Sequence, residues 1–303
     1  MHNLLLTLLL AVFCCTPAQA ITFDWAIIGN PGNADDIHGD GFGGVDYAFR
    51  ISKHEVTNAQ YTEFLNAVDP KGFNSHSLYN SSMSSNARGG IHFDGFAAEG
   101  SMYQVKAGRD NNPVVYVSFL DAMRFVNWLE TGSTESGVYS IGSGSNETRA
   151  LGTTFFIPSQ DEWYKAAYYD PNTNSYFDFP TGTDADPYSD DPNSLNTPDD
   201  TNVANFFKND TIVNGYDGGY AVTGTTAFVS SQNYLTDVGA YAQSTSPYGT
   251  FDQGGNVKEW NEVISGTTRG LRGGDWSSTF GTLEAFYSES GSPAAENDLI
   301  GFR

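Results

Sequence analysis

Helical periodicity is confined to three short segments of this 303-residue sequence, which limits the fold more than any other feature. In the first segment, apolar residues at i, i+3, i+4 and i+7 form one helix face: Tyr61, Phe64, Leu65 and Val68. Residues typical of helix N-termini precede all three segments. These are the capping-box pairs Thr57/Gln60 and Ser159/Glu162, and Ser118 with Asp121 in the first turn of the second helix.

The rest of the chain is rich in Gly, Ser, Asn, Asp and aromatic residues arranged in short runs. Such runs predict short strands joined by long, irregular loops. The third helix should stop before Asp170-Pro171, because a residue before proline is disfavoured in a helix. The polar stretch 181–201 is interpreted as a surface loop rather than a boundary between two domains. The sequence therefore predicts one loop-dominated α+β domain over residues 21–303.

Residues 1–20 have the pattern of a secretory signal peptide. An apolar run from Leu4 to Val12 is followed by small residues and ends in Ala18-Gln19-Ala20. A lipoprotein signal is the alternative, since cysteines follow the apolar run, but the A-x-A site fits simple export better. Cleavage after Ala20 would remove both cysteines, Cys14 and Cys15, and leave no disulfide and no thiolate ligand.

Composition narrows the set of partners. The net charge of −22 argues against a nucleic-acid partner, which requires a basic footprint. After the signal segment, no apolar run reaches the length of a membrane helix. We expect a secreted, periplasmic or cell-surface protein with an acidic surface.

Six segments, in order, resemble the formylglycine-generating-enzyme (sulfatase-modifying factor) family. Among them, GTFDQGGNVKEWNE is similar to the family's G-x-x-D-x-x-GNVWEW turn, and RGLRGGDW to its RGGSW motif. The similar segments are 49–68, 112–130, 155–171, 249–262, 269–276 and 300–303. The resemblance implies a C-type-lectin-like α+β fold with little regular structure. Two departures are Phe155-Phe156-Ile157 in place of an Arg-Leu, and Lys258 within the GNVWEW turn.

The resemblance also implies a reaction that this chain lacks the residues to perform. The family's oxidases hold Cu(I) through two cysteines, the soft ligands this ion prefers. The matching positions here are Ser278 and Leu283. An alcohol and a hydrocarbon do not replace two thiolates, so we expect no copper and no cysteine oxidation.

Other catalytic chemistries have weak support in the sequence. No G-x-S-x-G nucleophile motif is present, and the histidines do not form the H-x-x-x-H-x-E pattern of the related iron enzymes. His38, between Asp36 and Asp40, is interpreted as part of a turn. An oxidoreductase of the same family with a metal site made without cysteine remains the alternative function.

Two structural calcium ions are implied by the family resemblance, and Ca²⁺ prefers carboxylate and carbonyl oxygens. The first set consists of the carbonyls of Gly254, Gly255 and Val257 with the carboxylate of Glu259. The second consists of Asn205, the carbonyl of Phe206, and Asp217. The alternative interpretation of the first set is a glycine-rich turn with a solvated Glu259.

In the family, the C-terminal region lines a substrate groove. The residues here that match it are Asp275, Trp276 and Phe280. Asp275 replaces a serine and should make the groove acidic, and aromatic side chains suit an extended peptide or a carbohydrate. The leading hypothesis is a calcium-stabilised binding or surface module. A structural surface protein is a further alternative.

Overall fold

The computed structural model describes residues 21–37 and 41–303. The predicted signal peptide with its two cysteines, and the turn at His38, lie outside the described residues. The three predicted helices are present, and two short helical turns accompany them. The helices are α1 (Asn58–Val68), α2 (Ser82–Ser85), α3 (Phe119–Thr131), α4 (Gln160–Tyr168) and a 3-10 turn (Phe280–Thr282).

The predicted helix starts are confirmed. At α1, the Thr57 hydroxyl accepts from the backbone N–H of Gln60, and the Gln60 side chain accepts from the N–H of Thr57 at 2.9 Å. Equivalent reciprocal bonds open α3 at Ser118 and α4 at Ser159. Each cap satisfies backbone donors that the helix leaves unpaired.

Within the described residues, the strands are short and form six small sheets. They are β1 (Trp25–Ile28), β2 (Phe49–Ser52), β3 (Ile91–Phe93), β4 (Tyr103–Val105), β5 (Tyr169–Asp170), β6 (Ser175–Tyr176), β7 (Tyr188–Ser189), β8 (Val203–Ala204), β9 (Phe207–Asn209), β10 (Gly218–Tyr220), β11 (Lys258–Ser265), β12 (Thr268–Arg272), β13 (Glu289–Gly291) and β14 (Ile300–Gly301). Five sheets are two-stranded. The sixth has the order β13-β12-β11-β14, with β14 parallel to β11 and the other pairs antiparallel.

The main core is aromatic and lies between α1, α3 and the four-stranded sheet. Phe125 of α3 is in edge-on contact with Phe64 of α1, with ring centroids 5.2 Å apart, and with Phe302 at 5.3 Å. Trp260 of β11 is fully buried against Phe119. Such edge-on pairs add to the stabilisation from burial alone.

The α+β class and the low content of regular structure are confirmed by this architecture. Most of the chain between the elements is ordered loop held by side-chain hydrogen bonds to the backbone. These loops bring together the segment after β12, the β9–β10 pair and the turn before β11, where the candidate site lies.

Candidate functional site

Two glycines shape the turn that follows β12. Gly273 and Gly274 have φ values of +93° and +69°, a backbone region that side-chain-bearing residues rarely adopt. A Cβ on Gly273 would lie 2.5 Å from the carbonyl oxygen of Gln253, and one on Gly274 would lie 2.5 Å from the Thr282 hydroxyl. The RGG sequence is therefore required to fold residues 275–283 back against the domain.

The two positions that match the family's cysteines lie in different environments. Ser278 is half-buried, and its carbonyl accepts from the N–H of Phe207 at 2.8 Å. Leu283 is fully buried in an apolar cluster with Phe179, Ala204 and Phe206. The second cysteine position is thus occupied by a packed hydrocarbon side chain, and Phe280 packs on the outside of the same cluster.

Asp275 does not give the groove an unpaired negative charge, which corrects our expectation. Its side chain is buried, and one carboxylate oxygen accepts from the backbone and hydroxyl of Ser277. The other lies 3.2 Å from Lys258 Nζ, which also pairs with Glu289 at 2.8 Å. Although burial lowers the pKa of Lys258, these two carboxylates raise it above its ordinary value.

Trp276 belongs to a cluster of contacting rings in which Trp276 and Tyr234 are both buried. Its indole is nearly parallel to Tyr234, with centroids 4.8 Å apart, and to Phe228 at 6.2 Å. Tyr220 contacts Trp276 from the side at 5.8 Å and contacts Phe207 at 4.9 Å. We call these rings the aromatic face: Phe207, Tyr220, Phe228, Tyr234 and Trp276.

The aromatic face reaches solvent mainly through Phe228, which is 51% exposed, whereas Trp276 is only 4% exposed. The Arg88 guanidinium lies over Phe228 and Trp276, 5.5 Å and 5.7 Å from their centroids, and pairs with Asp298 at 2.7 Å. This cation therefore makes cation–π contacts with two rings of the aromatic face. The sequence singled out Trp276, but the accessible ring comes from a loop about 50 residues earlier.

The first predicted calcium set lies in a buried, charged part of the fold. Gly255 has a φ of +87°, and a Cβ there would lie 2.3 Å from the carbonyl oxygen of Asn205. Glu259 is fully buried, so the interpretation of a solvated side chain is wrong. Its carboxylate accepts from Arg303 at 2.5 Å and 2.6 Å and from Trp163 Nε1 at 2.8 Å.

Two further carboxyl groups, which the sequence analysis missed, interact electrostatically with Glu259. Glu55 is buried, and its Oε2 has no hydrogen-bond partner among the described residues. Burial raises the pKa of Glu55 well above its ordinary value, and that of Asp252 to about 6. Three carboxyl groups around one guanidinium, with one oxygen unpaired, fit an additional cation.

The second predicted set is arranged differently. Asp217 is buried, and its Oδ2 lies 3.1 Å from Lys208 Nζ. The carbonyl of Phe206 accepts from the Ser189 hydroxyl at 2.6 Å. The Asn205 amide donates to the carbonyl of Tyr234 at 2.8 Å. The Asp217 and Phe206 oxygens are engaged within the protein, and Lys208 brings a positive charge next to them, so this set does not fit a divalent cation.

Within residues 21–37 and 41–303, no three His, Cys, Asp or Glu side chains are grouped closely enough to hold a metal ion by themselves. A calcium ion at the first set would therefore depend on backbone carbonyls as well as carboxylates. In the same part of the chain, no helix is long and apolar enough to cross a membrane.

Comparison with solved structures found similar folds over nearly the whole chain. CarF is 22% identical, with a TM-score of 0.55, and the match covers 93% of this chain and 97% of CarF. Variable protein 1 of Treponema denticola is 16% identical, with a TM-score of 0.50, covering 94% and 95%. PvdO from Pseudomonas aeruginosa is 15% identical with a TM-score of 0.46, covering 92% and 90%.

No curated protein matches the sequence. A sequence-family comparison, in contrast, matches the sulfatase-modifying factor enzyme 1-like domain over residues 45–303. That range contains α1, α3, α4, the RGG turn and both predicted calcium sets. The chain therefore belongs to the family of sulfatase-modifying factor enzyme 1-like domains.

Proposed function

We propose that this chain is an exported sulfatase-modifying-factor-type domain that binds a ligand and does not oxidise cysteine. The observation that carries the proposal is the packing of Leu283. Its side chain fills the second cysteine position with hydrocarbon and contacts Phe179 and Phe206. Apolar packing at the second cysteine position supports a structural role for Leu283.

The residues left at the copper position cannot supply equivalent chemistry. Ser278 offers one neutral hydroxyl, a hard and weak donor, and Leu283 offers none. Cu(I) needs soft ligands to be held and to react with oxygen. The chain's own residues therefore support a retained scaffold without the family's oxidative step.

The aromatic face is the surface that we propose for the ligand. Phe228 exposes a ring that contacts the Arg88 guanidinium over its face and the Tyr220 ring beside it. A rigid ring at the surface stacks on the apolar face of a sugar or on a side chain of an extended peptide without losing much conformational entropy. The N-terminal pattern of a signal peptide supports exposure to extracellular ligands of either kind.

A calcium ion at the first set is part of the same proposal. The unpaired Glu55 Oε2 and the excess of carboxyl groups over Arg303 support it. With the carbonyls of Gly254, Gly255 and Val257, these groups offer the hard oxygens that Ca²⁺ prefers. The ion would supply positive charge and would tie the turn before β11 to the segment before α1.

The test of catalysis uses the mature protein loaded with Cu(I) and a cysteine-containing peptide. Oxygen consumption should not exceed that of a protein-free control, and elemental analysis of the purified protein should find no copper or iron. Copper-dependent turnover of the peptide would refute the non-oxidative assignment. A stoichiometric transition metal would favour the alternative of an oxidoreductase with ligands other than cysteine.

The test of binding compares Phe228→Ala with Phe96→Ala after a hit has been found on glycan and peptide arrays. Phe96 is also an exposed phenylalanine, but it lies outside the aromatic face. Loss of one stacked ring should weaken binding by about 2- to 10-fold, corresponding to roughly 0.5–1.5 kcal/mol, measured by titration calorimetry. Equal effects of the two variants, or no hit on either array, would count against the aromatic face as the site.

A further inference from the structure

The side chain of Lys208 lies next to the oxygens of the second predicted calcium set, a contact that the sequence alone does not indicate. Lys208 lies in β9, opposite Gly219 of β10, and Asp217 directly precedes β10. This register places Lys208 Nζ 3.1 Å from Asp217 Oδ2. The same Nζ donates to the carbonyl of Pro187 at 2.8 Å. A cation of the chain itself thus lies among the oxygens of this set.

Asp217 Oδ1 and the carbonyl of Phe206 also have hydrogen-bond donors from the chain itself. Asp217 Oδ1 accepts from the N–H of Ser189 at 2.7 Å, and the Ser189 hydroxyl donates to the carbonyl of Phe206. Hydrogen bonds from neutral donors and one ammonium group therefore meet the needs of this buried carboxylate.

The negative charge at the second set can be balanced by a single positive charge. Asp217 is the one carboxylate in direct contact with the Lys208 ammonium group among the described residues. One positive charge neutralises it. A calcium ion would add two positive charges next to the ammonium group and would be repelled by it.

The first set provides the contrast. Three carboxyl groups there interact with a single guanidinium, and Glu55 Oε2 has no partner. The two sets are joined through the backbone, since the N–H of Asn256 donates to the carbonyl of Asn205 at 2.8 Å. The two neighbouring sets thus differ in charge balance. At the second set the chain supplies enough positive charge to balance the carboxylate, whereas at the first set three carboxyl groups share one guanidinium.

We propose that the Lys208 ammonium group takes the place of the second calcium ion, and that removal of this ammonium group creates a calcium site. The proposal does not depend on the ligand-binding function proposed above. It implies that the second set contributes to stability without calcium, whatever the first set binds.

The experiment counts bound calcium by equilibrium dialysis with elemental analysis, and follows melting with and without Ca²⁺. Asp217→Asn in the otherwise unchanged protein should leave the number of bound ions unchanged. Lys208→Ala should raise it by one per chain and should make the melting temperature increase further with calcium. Two controls separate site-specific from general effects: Lys208→Arg keeps the charge, and Lys71→Ala removes one charge from an exposed position.

A lower calcium count in Asp217→Asn would overturn the proposal, because it would place an ion at Asp217 in the natural chain. An unchanged count in Lys208→Ala would also overturn it, as would an equal gain in Lys71→Ala. If Lys208→Ala does not fold alone, refolding with millimolar Ca²⁺ should restore it. Failure of calcium to do so would contradict the proposal as well.

Discussion

At the scale of single residues, two departures from the family pattern interact with each other in the fold. Lys258 stands within the GNVWEW-like turn, and Asp275 replaces the serine of the RGGSW-like motif. In the fold they form a largely buried ion pair at 3.2 Å, with Lys258 on strand β11 and Asp275 in the turn after β12. Because an isolated buried charge is costly, Asp275 is not expected without Lys258, whereas Lys258 also pairs with Glu289.

A second ionisable side chain with little solvent exposure, Glu262, should make the stability of the fold depend on pH. It accepts from the Tyr139 hydroxyl and lies 3.5 Å from Arg149 Nε, yet burial raises its pKa to about 7. A carboxyl group whose folded pKa is raised stabilises the protein below its unfolded pKa of about 4.5, and this contribution is lost as pH rises towards 7. Over that interval we expect a loss of roughly 3 kcal/mol in the free energy of unfolding.

Glu262→Gln should remove the part of that slope due to Glu262 and leave the parts due to Glu55 and Asp252, since the amide remains neutral and its oxygen still accepts from Tyr139. Urea denaturation between pH 4.5 and 8 measures the free energy of unfolding of both proteins. The exposed Glu99→Gln serves as control and should leave the slope unchanged. A Glu262→Gln profile parallel to that of the parent protein would contradict the assignment.

At the scale of elements, the capping boxes fix where the helices begin. In α4 the Ser159 hydroxyl accepts from the N–H of Glu162, and the Glu162 carboxylate returns a bond to the N–H of Ser159 at 2.7 Å. Glu162 is also held by two bonds from Arg149, at 2.9 Å and 3.0 Å. The cap therefore orients a carboxylate that ties α4 to the preceding loop.

Ser159→Ala should destabilise the protein by about 1 kcal/mol, because it leaves one helix N–H unpaired. Ser81→Ala is a matched control: Ser81 precedes α2 but makes no side-chain cap bond. Thermal melting followed by circular dichroism measures both variants. A Ser159→Ala effect no larger than that of Ser81→Ala would show that the cap contributes little.

These elements also explain which parts of the fold the sequence could predict. Capping and helical periodicity are local signals, so all three longer helices were placed correctly, whereas the four-residue α2 was missed. Several strands have only two or three residues, and their pairing depends on distant partners. The same limit applied to the site: Glu55 lies 204 positions from Glu259, and Phe228 lies 48 positions from Trp276. Neither pair shares a local pattern.

At the scale of the whole molecule, stability has to come from packing and charge balance. The described residues contain no cysteine, so no disulfide restrains the long loops. The aromatic core holds α1 and α3 together, but the turn before β11 and the segment before α1 meet through buried carboxyl groups. With a net charge of −22, the folded chain gains from any cation that it binds specifically.

Calcium removal should therefore lower the melting temperature by several degrees. At a calcium concentration 100 times the dissociation constant, a single site adds about 2.7 kcal/mol, and each kcal/mol shifts the melting temperature of a large domain by roughly 2–4 °C. Differential scanning calorimetry in calcium, in chelator and in chelator with matched magnesium and ionic strength measures the shift. Magnesium separates specific binding from general screening of the acidic surface.

Glu55→Gln links that shift to the first set, because it neutralises the carboxyl group with the unpaired oxygen. If calcium completes the charge balance there, this variant should lose most of its response to chelator, while Asp217→Asn should keep it. Should the parent protein melt at the same temperature with and without calcium, Arg303 alone would have to balance Glu259. Glu55 and Asp252 would then be neutral acids, consistent with their raised pKa values, and the fold would need no metal.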